Sequence, residues 1–288
     1  MPALRPAAAR REPPTAVGVR VPLLSLLVAL LALLVALPGT AYASPTASGK
    51  RPAHPERDWL GSTVRGHEHP TGRMPPPSLT ASVEGVDVSS HNGNVPWSTL
   101  WNSGNRFAYV KATEGTSYTN PYFAQQYNGS YDVGMIRGAY HFALPDNSSG
   151  ADQATYFATH GGGWSGDGRT LPGVLDIEYN PYGSVCYGMG AGALTDWIAD
   201  FLRTYRARTG RDAVIYTATG WWKQCTGNYG GFGSTDPLWA PRYGSSVGEL
   251  PAGWGFHTFW QYTDTGPTVG DHNRFNGAYS RLQALADG

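Results

Sequence analysis

From residue 81 onward, short runs rich in β-branched and aromatic residues alternate with longer stretches that show helical spacing or turn residues. This alternation is expected of strand and helix units that wind around a parallel sheet. We predict strands at residues 85–89, 107–112, 136–142, 173–178, 213–217, 237–240 and 257–262. Helices are predicted at about 120–132, 149–160 and 192–208, the last with apolar residues spaced by three and four.

Beyond residue 220 the helical spacing fades, and glycine and aromatic residues dominate. We therefore expect the final third of the chain to supply strands and loops. The predicted fold class is α/β, a TIM-like barrel of mostly parallel strands whose last helices are missing or vestigial. A hydrophobic fraction of 41% with only 15% charged residues suits such a compact body.

The charge balance and the aromatic content narrow the possible partners. The 21 basic and 21 acidic side chains cancel, so no overall field draws the protein to nucleic acid or to an anionic membrane. We expect neither as a partner. Ten Trp and seventeen Tyr beside 38 Gly suit stacking on sugars, although an ordinary core with long loops explains the same composition.

Residues 1–43 are predicted to be a secretory signal peptide. Four arginines precede an apolar run at residues 21–37, which Pro38 and Gly39 end before the small residues Ala41 and Ala43. The alternative is a single membrane anchor, because the run approaches the ~18 to 20 residues that a spanning helix needs. We favour cleavage after Ala43, which predicts a secreted protein without membrane contact after cleavage.

Residues 44–80 are predicted to be a poorly ordered linker or propeptide, because they are rich in proline, serine, threonine, arginine and histidine and lack periodicity. Residues 59–62 are their one apolar spot, the part that would pack onto the folded domain at 81–288. His67, Glu68 and His69 suggest a metal site, but zinc needs three or four ligands held on a frame. A solvated loop is favoured there, and no metal is expected.

The chain has two cysteines, Cys186 and Cys225. An even number of cysteines in an exported protein favours a disulfide between them. Two unpaired thiols are the alternative. A cysteine nucleophile is disfavoured, because nothing near either residue marks a base or an oxyanion site.

Acidic residues recur at or just after the ends of the predicted strands. The downstream ends of parallel strands share one face of a barrel, and such folds place their active sites on that face. The residues are Asp87, Glu114, Asp176, Glu178 and Asp271, the last in a short loop after the final predicted strand.

Asp176 and Glu178 are the most informative pair. Residues i and i+2 of a strand point to the same side, so both carboxylates are expected to enter the barrel mouth together. Close carboxylates drive their pKa values apart, which leaves one neutral and one ionised, as acid-catalysed cleavage of a glycosidic bond requires. We predict Glu178, nearer the rim, as the general acid. Asp176 would hold a positive sugar transition state or the acetamido group of the substrate.

Two alternatives stay open for this pair, solvated acids at a surface strand end and a divalent-metal site. The apolar residues 173–175 favour a buried strand instead. The Cα atoms of Asp176 and Glu178 are expected to lie about 6.6 Å apart. Retaining and inverting glycosidases differ in the distance between their carboxyl groups, and this Cα separation is compatible with both. Attack by the acetamido oxygen of the substrate is a third route.

Sugar-binding side chains are expected on the same rim. Tyr140 and Trp239 are the predicted sugar platforms, and Tyr216 belongs to the same group of aromatic residues. Gln261 and Asn273 are predicted to add hydrogen bonds to substrate. For any single aromatic residue, a place in the core is the alternative.

Six motifs in order along the chain resemble glycoside hydrolase family 25, the bacterial and phage muramidases. They lie at residues 87–93, 111–115 with Tyr118 and Asn120, 138–142, 176–178, 260–262 and 271–275. Each motif is weak alone, but the ordered series runs from about residue 85 to residue 277.

The resemblance implies a flattened (β/α)5(β)3 barrel that needs no cofactor. It also implies cleavage of the β-1,4 bond between N-acetylmuramic acid and N-acetylglucosamine in peptidoglycan, by a protein that we expect to be a monomer. By matched position Glu178 is the acid and Asp176 its partner, with Asp87 and Asp271 as supporting carboxylates. Glu114 either contacts substrate or anchors a loop by hydrogen bonds.

Two rival functions remain. A chitinase-like hydrolase of a related barrel type would act on N-acetylglucosamine polymers, but such enzymes carry a longer run of aspartates before the glutamate than residues 173–178 offer. The second rival is a catalytically silent wall-binding module, for which Glu178→Gln would leave binding to the wall unchanged and remove no activity.

Overall fold

The computed structural model describes residues 49–68 and 81–288. The predicted signal peptide at 1–43 lies outside these residues, as do residues 44–48 and 69–80 of the predicted linker. Within the described ranges, no helix combines the length and apolar character that crossing a membrane requires.

The domain is built on a closed barrel of eight strands. The nine strands of the sheet are β1 (Val83–Val88), β2 (Phe107–Glu114), β3 (Tyr118–Thr119), β4 (Ile136–Phe142), β5 (Val174–Asp176), β6 (Val214–Tyr216), β7 (Leu238–Pro241), β8 (Phe259–Thr263) and β9 (Asp271–Phe275). Their order is β1-β9-β8-β7-β6-β5-β4-β2-β3, and a further pairing of β1 with β2 closes the barrel. The short β3 forms an antiparallel pair with β2 outside the ring. Within the ring, only β9 runs antiparallel to its neighbours.

The helices follow the strands in a regular pattern up to β6. They are α1 (Val64–His67), α2 (Trp97–Asn102), α3 (Phe123–Asp132), α4 (Gly150–Thr159), α5 (Ala191–Thr209), α6 (Thr219–Thr226) and α7 (Tyr279–Asp287). Five of them, α2 to α6, connect consecutive parallel strands, whereas residues 242–258 and 264–270 contain no helix. The predicted (β/α)5(β)3 barrel is therefore confirmed.

Six of the named elements were not predicted from the sequence: α1, α2, β3, α6, β9 and α7. The strand β9 was expected as a loop around Asp271, because its polar sequence DHNRF shows no alternation of apolar residues. The helix α6 begins with Thr219 and Gly220, which are poor helix formers, and its buried Trp221 and Trp222 supply the stabilisation instead. Helix α7 lies beyond the last predicted strand and packs Leu282 and Ala286 against the barrel.

The strands separate two apolar layers, as their period of two requires. Val174 of β5 belongs to the cluster inside the barrel, together with Tyr216 and Trp239. The next residue, Leu175, belongs to the outer cluster that includes Phe201 of α5. Residues of β5 that are even-numbered therefore face the barrel interior, which decides where the carboxylate of Asp176 points.

The predicted disulfide between Cys186 and Cys225 is confirmed. The Cα atoms are 5.3 Å apart and the two residues are separated by 39 positions. The bridge joins the loop after β5 to α6. It constrains the glycine-rich loop that precedes α5.

Candidate active site

The two acids of the β5 region lie inside the barrel. Asp176 ends β5, and both Asp176 and Glu178 are fully buried. Ile177 between them packs in the outer cluster. The strand period thus directs both carboxylates to the interior side, where their charges interact.

Neither carboxylate oxygen of Asp176 has a hydrogen-bond partner among the described residues. Burial raises the pKa of Asp176 well above its ordinary value, and the charge of Glu178 raises it further. A buried carboxyl group whose oxygens accept no hydrogen bond lowers the free energy of unfolding. Such groups cluster at functional sites.

Asp87 and Asp271 form the opposite part of the site, and Gln261 joins them. The Gln261 Nε2 group donates to Asp87 Oδ2 at 3.0 Å and to Asp271 Oδ2 at 3.2 Å. Asn273 Nδ2 donates to the same oxygen of Asp87 at 2.7 Å. Burial raises the pKa of Asp87 to about 7. Burial and the charge of Asp87 together raise the pKa of Asp271.

Glu114 lies in a separate buried network. Its carboxylate forms an ion pair with Lys111 at 2.6 Å and accepts a hydrogen bond from the Tyr182 hydroxyl at 2.8 Å. Burial raises the pKa of Glu114 to about 7, against the lowering effect of Lys111. These contacts correspond to the loop-anchoring alternative for Glu114.

The three predicted sugar-binding aromatic residues are all fully buried. Trp239 packs against Tyr109, Tyr216 and Phe259, and its indole N–H donates to Asn273 Oδ1 at 3.0 Å. Trp239 is thus enclosed by other rings in this structure and positions Asn273, while its role as a sugar platform stays a prediction. Tyr216 donates its hydroxyl to Gln261 Oε1 at 2.7 Å.

The main departure from the sequence prediction is the segment at residues 49–68, which we call the N-terminal segment. It was expected to be poorly ordered, yet it lies across the barrel mouth. Leu60 and Val64 are fully buried, so the apolar spot at 59–62 does pack onto the domain. The apolar residues at 59–62 were the only feature of the sequence that indicated this arrangement. Hydrogen bonds made by backbone groups do not require particular residue types, so the sequence does not predict them.

His67 and Glu68, which the sequence suggested as metal ligands, lie in the N-terminal segment and contact the barrel domain. His67 stacks on Tyr179 with ring centroids 4.0 Å apart. Glu68 Oε1 accepts from the Tyr179 hydroxyl at 2.6 Å and from the Gly220 N–H at 3.1 Å. In residues 49–68 and 81–288, no three His, Cys, Asp or Glu side chains are arranged to hold a metal ion.

A cavity of about 340 Å³ remains open beside the acids. It is lined by Asp87 and Asp271 together with Trp59 of the N-terminal segment and His91, whose rings lie 4.4 Å apart. Carboxylates and aromatic rings around one hollow suit a carbohydrate ligand.

Comparison with known proteins identifies the family. Residues 86–271 match the profile of glycosyl hydrolases family 25, a range that contains all four acids of the site. The chain belongs to glycosyl hydrolase family 25. This family 25 chain is thereby a glycoside hydrolase, and its barrel is the fold that the family's solved structures share.

Individual relatives cover most of the family 25 domain. Lysozyme M1 of Streptomyces globisporus is 49% identical over 223 residues, 76% of each chain. The N,O-diacetylmuramidase of Chalaropsis sp is 46% identical over 211 residues, which are 72% of this chain and 100% of that protein. Among solved structures, a muramidase from Acremonium alcalophilum is 56% identical with a TM-score of 0.71, covering 72% of this chain and 99% of that chain.

Proposed function

We propose that this family 25 chain is a secreted muramidase that cleaves the β-1,4 bond between N-acetylmuramic acid and N-acetylglucosamine in bacterial peptidoglycan. The observation that carries the proposal is the pair Asp176 and Glu178, which face one interior with their pKa values raised by burial. The relatives named lysozyme and N,O-diacetylmuramidase support this choice of substrate.

In the proposed reaction, Glu178 is the general acid. Burial raises its pKa to about 7, so near neutral pH a large fraction of the carboxyl carries the proton that the leaving glycosidic oxygen needs. Asp176 has two unpartnered acceptor oxygens, and we assign it to the acetamido N–H of the sugar and to the positive charge that develops on the ring.

Asp87 and Asp271 are proposed as supporting carboxylates on the other side of the site. Both are held by the amide of Gln261, which keeps their oxygens in place while sugar binds. Tyr140, Gln261 and Asn273 are proposed to line the same subsite. The acid pair needs no cofactor for this chemistry, and the protein is proposed to act as a monomer.

The test is digestion of purified peptidoglycan by the domain at residues 81–288, followed by mass analysis of the sugar at each new reducing end. A muramidase leaves N-acetylmuramic acid at that end, whereas an N-acetylglucosaminidase leaves N-acetylglucosamine. Chitin is digested in parallel. Reducing ends from chitin but not from peptidoglycan would replace the proposal with the chitinase-like alternative, and wall binding without new ends would replace it with the binding module.

Secretion is proposed from residues 1–43 and is tested separately. The culture supernatant of a producing strain is analysed by intact mass and by sequencing of the amino terminus. We expect a chain that begins after Ala43 or further along. Recovery of the intact chain in the membrane fraction would favour the anchor instead.

A further inference from the structure

We propose that the N-terminal segment, residues 49–68, is an autoinhibitory plug that occupies the glycan-binding mouth and keeps the enzyme inactive until it is displaced or removed. This inference rests on the proposed muramidase function. It concerns the regulation of that same site and depends on contacts that lie outside the family match at 86–271.

The first observation is that the plug occupies both oxygens of the proposed acid. The Gly61 N–H donates to Glu178 Oε1 at 2.9 Å. The Thr63 N–H donates to Glu178 Oε2 at 3.3 Å, and the Thr63 hydroxyl donates to the same oxygen. Three donors favour the ionised carboxylate, and they fill the positions from which a proton would reach a glycosidic oxygen. The plug therefore blocks both oxygens through which Glu178 would deliver a proton, although burial still keeps the pKa of Glu178 at about 7.

The second observation is that Leu60 lies where substrate would bind. Its side chain is fully buried in the cluster inside the barrel. Its backbone N–H donates to the Tyr140 hydroxyl at 3.2 Å, and its carbonyl oxygen accepts from Gln261 Nε2 at 2.9 Å. Because Tyr140 and Gln261 are proposed to line the sugar subsite, the Leu60 peptide occupies the polar groups that a sugar would use.

The plug is anchored on both sides of Leu60. On one side Lys111 Nζ donates to the Pro55 carbonyl at 3.0 Å and to the Asp58 carbonyl. The Asp58 carboxylate also contacts the Tyr182 hydroxyl, whose single proton lies between Asp58 and Glu114. On the other side Arg65 Nε donates to Asp264 Oδ2 at 2.6 Å. These anchors belong to the barrel, so the plug is bound by residues on opposite sides of the mouth.

The burial of Glu178 makes displacement necessary for activity. Glu178 is fully buried while the plug is bound, and a polymeric glycan cannot reach a group that is closed off from solvent. The N,O-diacetylmuramidase of Chalaropsis sp matches over its whole length with only 72% of this chain. That relative therefore has no counterpart to the remaining part of this chain. The family match at residues 86–271 does not include the plug.

The fit at Gly61 provides a precise test. Gly61 has φ +87°, and an added Cβ would lie 2.4 Å from Gln261 Oε1 and 2.5 Å from the Tyr216 and Tyr243 hydroxyl oxygens. Gly61→Ala therefore strains the backbone at φ +87° and brings Cβ into these three oxygens, which weakens the binding of the plug. Gly66 is the matched control, because a Cβ at that position meets no atom within 4 Å. Neither glycine belongs to the catalytic or sugar-binding groups.

The experiment uses the exported chain that still carries residues 49–68, verified by intact mass. We compare the wild type with Gly61→Ala, Gly66→Ala and Leu60→Asp, the last of which introduces a negative charge among the acids of the barrel mouth. We expect Gly61→Ala and Leu60→Asp to release reducing ends from peptidoglycan at least tenfold faster than the wild type, and Gly66→Ala to match the wild type. Equal and measurable rates of peptidoglycan hydrolysis for all four chains would overturn the proposal.

Two further measurements separate failure of the plug from failure of the muramidase function. Amide hydrogen exchange at Leu60, Gly61 and Thr63 is expected to be slow in the wild type and fast in Gly61→Ala. A soluble oligosaccharide of alternating N-acetylglucosamine and N-acetylmuramic acid is expected to bind Gly61→Ala at least tenfold more tightly. If every chain proves inactive on peptidoglycan, these results still support the plug, whereas equal oligosaccharide binding by both chains contradicts it.

Addition of the plug in trans completes the test. A synthetic peptide of residues 49–68 is added to the active Gly61→Ala enzyme, with the same peptide carrying Gly61→Ala as the control. We expect the wild-type peptide to inhibit and the control peptide to inhibit at least tenfold more weakly. Equal inhibition by the two peptides would contradict the fit that we propose at Gly61.

Discussion

Asp87 and Asp271 are direct partners in the antiparallel register of strands β1 and β9. Two like charges in that position repel each other, and burial adds to the cost of ionising both. The amide of Gln261 donates to both carboxylates. The fold therefore accepts an unfavourable pair of acids in the barrel mouth and holds it with the neutral amides of Gln261 and Asn273.

Replacement of Gln261 with Met is predicted to destabilise the protein by roughly 3 kcal/mol or more, because each buried group that loses its partner costs about 1–3 kcal/mol. Asp271 loses the Gln261 donor and the Tyr216 hydroxyl loses its acceptor, whereas Asp87 keeps the Asn273 amide. Urea unfolding measures the effect. Gln283→Met, an exposed change on α7, is the control and should leave the stability within about 0.5 kcal/mol of the wild type.

Asp176→Asn is predicted to stabilise the protein at pH 8 while it abolishes most activity. The folded pKa of Asp176 lies well above the ordinary value of 3.8. The stability that its neutral carboxyl provides is therefore fully present below pH 3.8 and is lost as the pH rises toward the folded pKa. Asparagine cannot ionise, so the variant does not lose this stability as the pH rises.

The expected gain from Asp176→Asn is about 1 kcal/mol or more at pH 8, or roughly 2–4 °C in Tm. It should disappear near pH 4. Thermal unfolding at both pH values checks the result. Asp196→Asn, an exposed change on α5, serves as the control. A larger gain at pH 4 than at pH 8 would contradict the raised pKa of Asp176.

Glu178→Gln is predicted to lower the rate of peptidoglycan hydrolysis by about 10²- to 10⁴-fold, the usual contribution of a general acid. The change is made together with Gly61→Ala so that the plug does not mask it. Glu249→Gln is the matched control, because Glu249 is exposed and pairs with Lys223 at the surface. We also expect the rate of the parent Gly61→Ala enzyme to fall as the pH rises through the pKa of Glu178. A residual rate within threefold of the parent would remove Glu178 from the role of acid.

Lys111→Met is predicted to destabilise the protein by about 3–5 kcal/mol, because Glu114 then remains buried without its cation. Lys111 and Glu114 are both fully buried, and Lys111 also holds the plug through the Pro55 carbonyl. In the double variant with Glu114→Gln, most of this loss should be recovered. A double-mutant cycle by chemical unfolding tests the coupling, and additive losses would show that the pair is not coupled.

Replacement of both Cys186 and Cys225 with serine is predicted to cost about 4 kcal/mol on the loop-closure model. The two cysteines are 39 positions apart in the sequence. Unfolding in urea, with and without a reductant, measures the loss. Reductant should lower the stability of the wild type to that of the double variant and leave the double variant unchanged.

The barrel was readable from the sequence because its elements obey local rules. Parallel strands such as β2 and β4 begin with runs rich in β-branched and aromatic residues and are buried along almost their whole length, and α5 shows apolar residues at helical spacing. The same strand period predicted that Asp176 and Glu178 face one side. By contrast, β9 carries polar residues toward Asp87, so its sequence has the composition of a loop.

The sequence by itself determined the strand and helix units, the cysteine pair and the acids that share one face of the barrel. Only the tertiary structure decided that residues 49–68 enter the mouth and that Trp239 is enclosed by other rings. The physical reason is that these arrangements depend on contacts between positions far apart in the chain. Gly61 reaches Glu178 through a backbone N–H that every residue except proline possesses, so no residue type records the contact.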